Sequence, residues 1–356
     1  MANLKTFLIL MVLISLVQHV VFGVSSPISI KMNNGQIFKC VNFYQQPAFR
    51  NHLLNHEVMP NVAKLEQQRI NVSELGFGGR GCPFGMVPIL ERDMAKQVNV
   101  IEVPEPRPRP PPHAKAHCRA LVRTVYDANK KFVQASGAAT VYKPEVQTNQ
   151  WSSSRVKLIN GDESIEAGWM VNPSEFKNNE AHLYVSFNVG GKGCINVACS
   201  GFVQVHSDVA LGTTPSTYST SKKQILWNVL IEKHQDDGNW WFSLIYQNSK
   251  IQIGYWPQSL FTLLKDSANQ VEFGGEINDP NGANPPPEMG NGNKAEYDTA
   301  YSSAFLQATI NNAEPTDTEK DADCTELYTV KDAGTQADLG RIILFGGPYP
   351  LDGARV

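Results

Sequence analysis

A succession of short apolar segments, separated by turn residues, is the feature that most limits how this chain can fold. These segments are rich in aromatic and β-branched residues, which favour strands, and occupy residues 183–189, 202–206, 225–231, 240–246 and 251–256. Asp236-Asp237-Gly238-Asn239 and residues 247–249 provide hairpin turns between the last three. Many short strands at regular spacing predict an all-β domain, an antiparallel two-sheet β-sandwich. We expect one helix in this part, over residues 257–268.

A proline-rich tract divides the chain. Residues 104–112 read Pro-Glu-Pro-Arg-Pro-Arg-Pro-Pro-Pro, which excludes a helix or a central strand because proline lacks the backbone donor. We expect a stiff exposed linker that a protease can cut. It ends a small mixed α/β segment, residues 26–112, and the sandwich follows as residues 116–356.

The charge of the chain differs between these two parts. Residues 26–114 carry ten Lys and Arg against seven Asp and Glu, whereas residues 115–356 carry twenty against twenty-seven. Opposite net charges favour complementary surfaces, as in a pro-segment that covers an enzyme in cis. The alternative is chance variation in composition. The net charge of −3 for the whole chain gives no indication of a nucleic-acid partner.

The first residues have the pattern of a secretory signal peptide. Lys5 precedes an apolar run over residues 7–14, and small residues follow at 23–26. The run is too short for a membrane span, so we expect residues 1–24 to be removed and the mature protein to be secreted, extracellular and free of membrane segments. Asn71 stands in an Asn-Val-Ser sequon, a candidate glycosylation site.

The chain has six cysteines, an even number, which suits an oxidising compartment. Closeness in the sequence predicts two disulfides, Cys40 with Cys82 and Cys194 with Cys199. Closeness in the sequence assigns no partner to Cys118 or Cys324. The Cys194–Cys199 pair would shape a loop, since no histidine stands close to either residue in the sequence.

Two glutamates stand in unusual strand surroundings. Glu166 lies in Ser164-Ile165-Glu166-Ala167-Gly168-Trp169, and Glu276 follows two glycines in residues 271–276. Two carboxyl groups that face each other share one proton over an acidic range. The ionised member then takes a proton from water while the protonated one polarises a carbonyl. The alternative is two unrelated strand glutamates, because only the fold can bring them together.

Other catalytic signatures are missing from the sequence. It contains no Gly-X-Ser-X-Gly elbow and no His-Glu-X-X-His zinc motif. His52 and His56 have the spacing of two ligands on one helix face, but no third ligand stands nearby. We therefore expect neither a metal nor an organic cofactor.

Several motifs, taken in order, resemble the neprosin family. They are residues 35–50, Cys82-Pro83, Glu166-Ala167-Gly168-Trp169, residues 193–202, Gly254-Tyr255-Trp256-Pro257 and Gly274-Gly275-Glu276. The resemblance implies a secreted glutamic endopeptidase with an N-terminal pro-segment that cuts after proline at acid pH. It implies Glu166 and Glu276 as the catalytic pair, with Glu272 as the alternative for the second position.

The resemblance also bears on the remaining candidate residues. It leads us to expect a cysteine near the C-terminus as partner for Cys324, and this chain has none there. Either Cys118 pairs with Cys324 or two thiols remain free. Trp169, Tyr255 and Trp256 are candidate aromatics for binding a proline ring, with the sandwich core as the alternative location for each.

The function that we expect is therefore a proenzyme that hydrolyses proline-containing peptides or proteins, its pro-segment packing over the cleft. Two alternatives stay open. One is an extracellular binding protein on the same sandwich without turnover. The other is a glycoside hydrolase, which also uses two carboxylates.

Overall fold

The computed structural model describes residues 28–32, 34–50, 81–95, 101–102, 117–280, 282, 285–295 and 298–349. The predicted signal peptide, the sequon at Asn71, the His52 and His56 pair and the predicted proline-rich linker lie outside these residues.

The described strands are β1 (Ser29–Lys31), β2 (Ile37–Asn42), β3 (Met86–Leu90), β4 (Ile101–Glu102), β5 (His117–Thr124), β6 (Gln134–Thr140), β7 (Trp151–Asn160), β8 (Glu163–Val171), β9 (His182–Val189), β10 (Lys192–Ile195), β11 (Val203–Gln204), β12 (Leu226–Lys233), β13 (Trp240–Tyr246), β14 (Ser249–Trp256), β15 (Gln270–Asn278), β16 (Ser303–Ile310), β17 (Thr318–Ala322), β18 (Thr329–Gln336) and β19 (Gly340–Gly346). The described helices are α1 (Glu91–Ala95), α2 (Pro173–Phe176) and 3-10 turns over Phe43–Gln45, Pro47–Arg50 and Gln258–Leu260.

Two large antiparallel sheets form a sandwich, which confirms the predicted fold class. The first sheet has the order β17-β5-β15-β7-β8-β9-β10-β4, and the second has the order β11-β14-β13-β12-β6-β16-β19-β18. Alternate residues of each strand point inward, so that Val156 and Trp169 of the first sheet share one buried core with Val229 and Phe242 of the second. The other face of the first sheet carries part of the N-terminal segment at one end and a cleft beside it.

The hairpins follow the predicted turns. β12 pairs with β13 across residues 234–239, and β13 pairs with β14 across Gln247 and Asn248. Both residues of this second turn have positive φ, as tight hairpins require.

The helix expected over residues 257–268 is wrong, apart from the 3-10 turn. The Glu163 carboxylate accepts hydrogen bonds from the backbone N–H groups of Thr262, Leu263 and Leu264, at 2.7–3.1 Å. These donors serve a side chain of the first sheet and are not available for an intrahelical ladder.

All six cysteines form disulfides: Cys40–Cys82, Cys118–Cys324 and Cys194–Cys199. The two predicted pairs are confirmed, and the open question about Cys118 and Cys324 is answered by their bond. One disulfide lies within the N-terminal segment and two lie within the sandwich. No disulfide therefore joins the segment to the sandwich.

The N-terminal segment packs on the sandwich through its own three-stranded sheet, β1-β2-β3, and α1. Phe38 and Leu90 bury against Met170, Phe176 and Tyr184 of the sandwich. This contact borders the cleft described below, since Met170 belongs to both. Among the described residues, no helix is long and apolar enough to cross a membrane.

Candidate active site

A cleft of about 520 Å³ opens on the outer face of the first sheet, and both Glu166 and Glu276 line it. The fold thus brings together two residues that are distant in the sequence, as the paired-glutamate hypothesis requires. No described residue of the N-terminal segment lines the cleft. The described part of that segment packs beside the cleft, and the expectation that the segment covers the cleft stays a prediction.

Strand register fixes the two carboxylates on either side of β7. Glu276 lies on β15 opposite Ser153, and Glu166 lies on β8 opposite Lys157. Glu272 of β15 also pairs with Lys157, on the opposite side of β7 from Glu166. Since side chains on one face repeat every second residue, all three glutamates point into the cleft.

Arg155 of β7 binds all three glutamates. Its Nε lies 2.8 Å from Glu276 Oε2 and 3.5 Å from Glu166 Oε2, and its second guanidinium nitrogen lies 2.8 Å from Glu272 Oε2. The Arg155 side chain is only 2% exposed, against 15% for Glu166 and 12% for Glu276. The two candidate catalytic carboxylates are therefore held on one nitrogen, while their outer oxygens reach the cleft.

Glycines flank Arg155 in its row across the sheet. Gly168 of β8 and Gly274 of β15 both pair with Arg155, so neither neighbouring strand has a side chain in the same row as Arg155. A Cβ atom at Gly168 would lie 1.9 Å from the Ser154 carbonyl oxygen, and one at Gly274 would lie 2.4 Å from that of Ala120. The glycines noted in the sequence beside each glutamate thus allow close packing around the cation.

Three further side chains contact the carboxylates. His117 Nε2 lies 2.8 Å from Glu276 Oε1, and the Tyr184 hydroxyl donates a 3.1 Å hydrogen bond to Glu166 Oε1. Lys157 Nζ lies 3.5 Å from Glu166 Oε2. Glu276 therefore contacts Arg155 and His117 at 2.8 Å each, whereas the contacts of Glu166 with Arg155 and Lys157 are 3.5 Å.

These contacts shift the pKa values of the groups in the cleft. Burial raises the pKa of Glu276, but Arg155 and His117 outweigh it and hold that pKa well below its ordinary value. Burial likewise opposes ionisation of Glu272, and Arg155 lowers the pKa of that carboxyl below its ordinary value. Burial and the Glu166 charge raise the pKa of Tyr184 well above its ordinary value, so its hydroxyl stays a neutral donor.

A pair of glutamates bridged only by a shared proton is therefore an incomplete description, because the Arg155 guanidinium contacts both of them. Glu276, with its lowered pKa, is the member that stays ionised. Glu166 has longer contacts to Arg155 and Lys157 and accepts a hydrogen bond from Tyr184.

Ionic side chains form alternating columns on this face of the sheet. Acidic and basic residues alternate across five neighbouring strands: Glu319 and Asp321 on β17, Arg119 and Arg123 on β5, Glu272 and Glu276 on β15, Arg155 and Lys157 on β7, and Glu166 on β8. The charged side chains of each strand thus lie next to side chains of opposite charge on the neighbouring strand, which is the favourable cross-strand arrangement.

The three aromatics proposed for substrate binding lie elsewhere. Trp169, Tyr255 and Trp256 are at most 1% exposed and belong to the core between the sheets. Trp169 points to the opposite face of β8 from Glu166, and its Nε1 donates to the Thr140 carbonyl at 2.9 Å. The alternative given for these residues, sandwich core, is the correct one.

Sequence reasoning missed Arg155, Lys157, His117, Tyr184 and Trp151, all of which lie at or beside the cleft. The one feature of the sequence that could have indicated them is the placing of such side chains at every second position of a strand, as in Trp151-Ser152-Ser153-Ser154-Arg155-Val156-Lys157. The sequence does not show which face of that strand packs on the second sheet and which face is left for a site. Among the described residues, no group of three or more His, Cys, Asp or Glu is arranged to hold a metal ion.

Comparison with solved structures finds distant likenesses. One is the crystal structure of scytalido-glutamic peptidase with a peptide-based transition state analog, at a TM-score of 0.36 and 8% identity, covering 66% of this chain and 99% of that one. Another is SCP-B, a member of the eqolisin family of peptidases, in a complex with the tripeptide Ala-Ile-His, at 0.33 and 9%, covering 65% and 98%.

Comparison with family models finds a match over most of the sandwich. The neprosin model matches residues 148–348, a range that contains β7, β8 and β15 and therefore Arg155 and the three glutamates that contact it. This match covers more than half of the chain. The chain belongs to the neprosin family.

Proposed function

We propose that this protein is a glutamic endopeptidase in which Glu166 and Glu276 activate water. Membership of the neprosin family supports a peptidase of the glutamic type. The observation that carries the assignment to these residues is their contact with one nitrogen of Arg155 in an open cleft.

The roles follow from the contacts. Glu276, held ionised by Arg155 and His117, takes a proton from a water molecule as its oxygen attacks the peptide carbonyl carbon. Glu166, hydrogen-bonded by Tyr184, gives its proton to the developing oxyanion or to the leaving nitrogen. The carbon–nitrogen bond breaks, hydroxyl goes to the carbonyl carbon and hydrogen goes to the amine.

Acid pH suits this division of roles. The base must be ionised while the acid is protonated, and the lowered pKa of Glu276 keeps it ionised in acid. Preference for proline before the cleaved bond is carried over from the family resemblance as part of the proposal.

We also propose that residues 26–112 are a removable pro-segment and that the mature protein, residues 116–356, is secreted. The partition of the disulfides supports removal, because cutting the connecting chain leaves no covalent link between segment and sandwich. Three disulfides also suit an extracellular compartment.

The test compares wild-type protein with Glu166→Gln and Glu276→Gln on proline-containing fluorogenic peptides in acid and neutral buffers. We expect each variant to lose activity by at least about 100-fold, the usual range for general acid–base groups. Glu319→Gln, an exposed carboxylate on β17 of the same sheet, is the matched control and should stay active. Circular dichroism and thermal unfolding verify that each variant is folded.

Three outcomes would contradict the proposal. Cleavage retained in both glutamine variants would remove the catalytic assignment. Peptide binding without turnover by the wild type would favour the binding-protein alternative, and activity on oligosaccharides in place of peptides would favour the glycoside hydrolase.

A further inference from the structure

The two ends of the cleft differ in chemistry. Beyond Glu276 along the strands, the wall is formed by Trp151, and Met170 of β8 lies in the same row of the sheet as Glu276. At the opposite end, the wall is formed by polar side chains including Asp162, Asn188 and Gln270. An extended ligand would therefore meet apolar surface on one side of the carboxylates and polar surface on the other.

Trp151 stands close to the carboxylates. It is the first residue of β7 and lies two positions before Ser153, which pairs with Glu276. Two residues of a strand span about 6.6–6.8 Å. The Trp151 ring also meets the His117 ring edge-on at 5.7 Å between centroids, and His117 binds Glu276.

The indole is supported from behind. Trp151 packs against a buried cluster that includes Met170 and Tyr184 of the sandwich itself. It remains partly exposed, in contrast to Trp169, Tyr255 and Trp256. A ring held in place in this way offers a preformed apolar wall, so little conformational freedom is lost when a ligand packs on it.

We propose that Trp151, with Met170 as its floor, is a specificity subsite that takes an apolar side chain bordering the cleaved peptide bond. The proposal rests on the proposed peptidase function. With the scissile carbonyl at the carboxylates, the neighbouring residue of an extended substrate is one residue rise, about 3.3 Å, along the chain. Its side chain then reaches the indole, and a flat compact ring such as proline packs well on an aromatic face.

The experiment uses the full chain after activation and a set of peptides that differ only at the residues bordering the cleaved bond. Wild type, Trp151→Ala and Trp151→Phe are compared by kcat/KM for peptides with proline, leucine or serine there. Tyr126→Ala, which removes an exposed aromatic outside the cleft, is the control. We expect Trp151→Ala to lose about 10- to 100-fold on the apolar peptides and little on the serine peptide. Trp151→Phe should keep most of the preference.

A uniform loss on all three peptides would overturn the subsite, because it would mean that Trp151 acts only by positioning His117. An unchanged ranking in Trp151→Ala would overturn it as well. If the wild type cleaves no peptide, the proposed function fails, and calorimetric binding of the same peptides decides the subsite separately. Loss of apolar-peptide affinity in Trp151→Ala then supports the subsite, and equal affinity in wild type and variant overturns it.

Discussion

At the scale of single residues, the cleft depends on the buried guanidinium of Arg155. Burial opposes its charge, but Glu276, Glu272 and Glu166 hold its pKa well above the ordinary value. The planar fork of arginine reaches several carboxylates at once, which a lysine ammonium on a flexible stem does not reproduce. Arg155 thus sets both the position and the ionisation of the proposed catalytic pair.

Arg155→Met should destabilise the protein by about 3–5 kcal/mol at neutral pH, because it leaves buried carboxylates without their cation. The loss should shrink in acid, as those carboxylates become protonated. The pKa of Glu276 should rise, which moves the acid limb of the kcat/KM profile to higher pH. Urea unfolding at two pH values and a pH–rate profile measure both effects, with Arg155→Lys as the charge-conserving comparison. Equal stability of wild type and Arg155→Met at neutral pH would show that the ion cluster is not stabilising.

Gly168→Ala should be costly because its Cβ would collide with the Ser154 carbonyl oxygen and push β7 away from β8. We expect a loss of about 2–4 kcal/mol in the free energy of unfolding, together with weakened contact between Glu166 and Arg155. The control is Gly85→Ala, where a Cβ meets open space and only the positive φ is unfavourable, at about 1 kcal/mol. Similar losses at the two positions would refute the packing argument.

At the scale of secondary structure elements, the contact between the N-terminal segment and α2 contains a buried histidine. His182 stacks on Phe176 at 4.0 Å, and Arg92 of α1 lies over the same ring at 4.4 Å. Gln36 of the segment lies 3.4 Å from the His182 ring. A positive charge on His182 would therefore act directly on the groups of the segment that pack around it, including Arg92.

The stability of this contact should fall in acid. Burial lowers the pKa of His182 from 6.5 to about 4, with the Gly212 carbonyl and Glu180 opposing the shift and Arg92 adding to it. Between these values the unfolded chain binds a proton that the folded chain does not. The stabilisation is thus complete above the ordinary pKa and falls by about 3 kcal/mol as the pH drops to about 4. His182→Gln should flatten the dependence of urea-unfolding free energy on pH in this window, and an unchanged slope would rule out this histidine as its source.

At the scale of the whole molecule, the described residues of the segment and the sandwich are joined by packing and hydrogen bonds, and no disulfide links them. Each disulfide stays within one part, whereas the packing crosses between them, since Val41, Phe43 and Val87 of the segment belong to the main core cluster. Gln46 adds a buried pair of hydrogen bonds to the Gln204 backbone, at 2.8 and 3.0 Å. Burial of several apolar side chains stabilises such a contact by several kcal/mol, on the order of 2 for each.

A single cut in the proline-rich linker should therefore give two pieces that stay together at neutral pH. On a non-reducing denaturing gel they should separate, since no disulfide joins them. Gel filtration in acid should release the segment to a greater extent than gel filtration at neutral pH. Pieces that remain joined on the denaturing gel until a reductant is added would contradict the assigned disulfides.

The sequence by itself determined the local features of this protein. Aromatic and β-branched segments, with Asp-Gly and Gln-Asn turns, fixed strands such as β13 and the hairpins around it, because these depend on neighbours along the chain. The family motifs and two disulfides were also readable. The helix predicted over residues 257–268 failed because a distant carboxylate, Glu163, takes its backbone donors.

Only the tertiary structure decided which residues meet. Alternation along a strand offers two faces, and the packing of the second sheet selects which face is buried, so Trp169 of β8 lies in the core and Trp151 of β7 lies at the cleft. The register of β15, β7 and β8 then placed Glu276, Arg155 and Glu166 together. Their contact depends on pairings between strands far apart in the sequence, which no local pattern specifies.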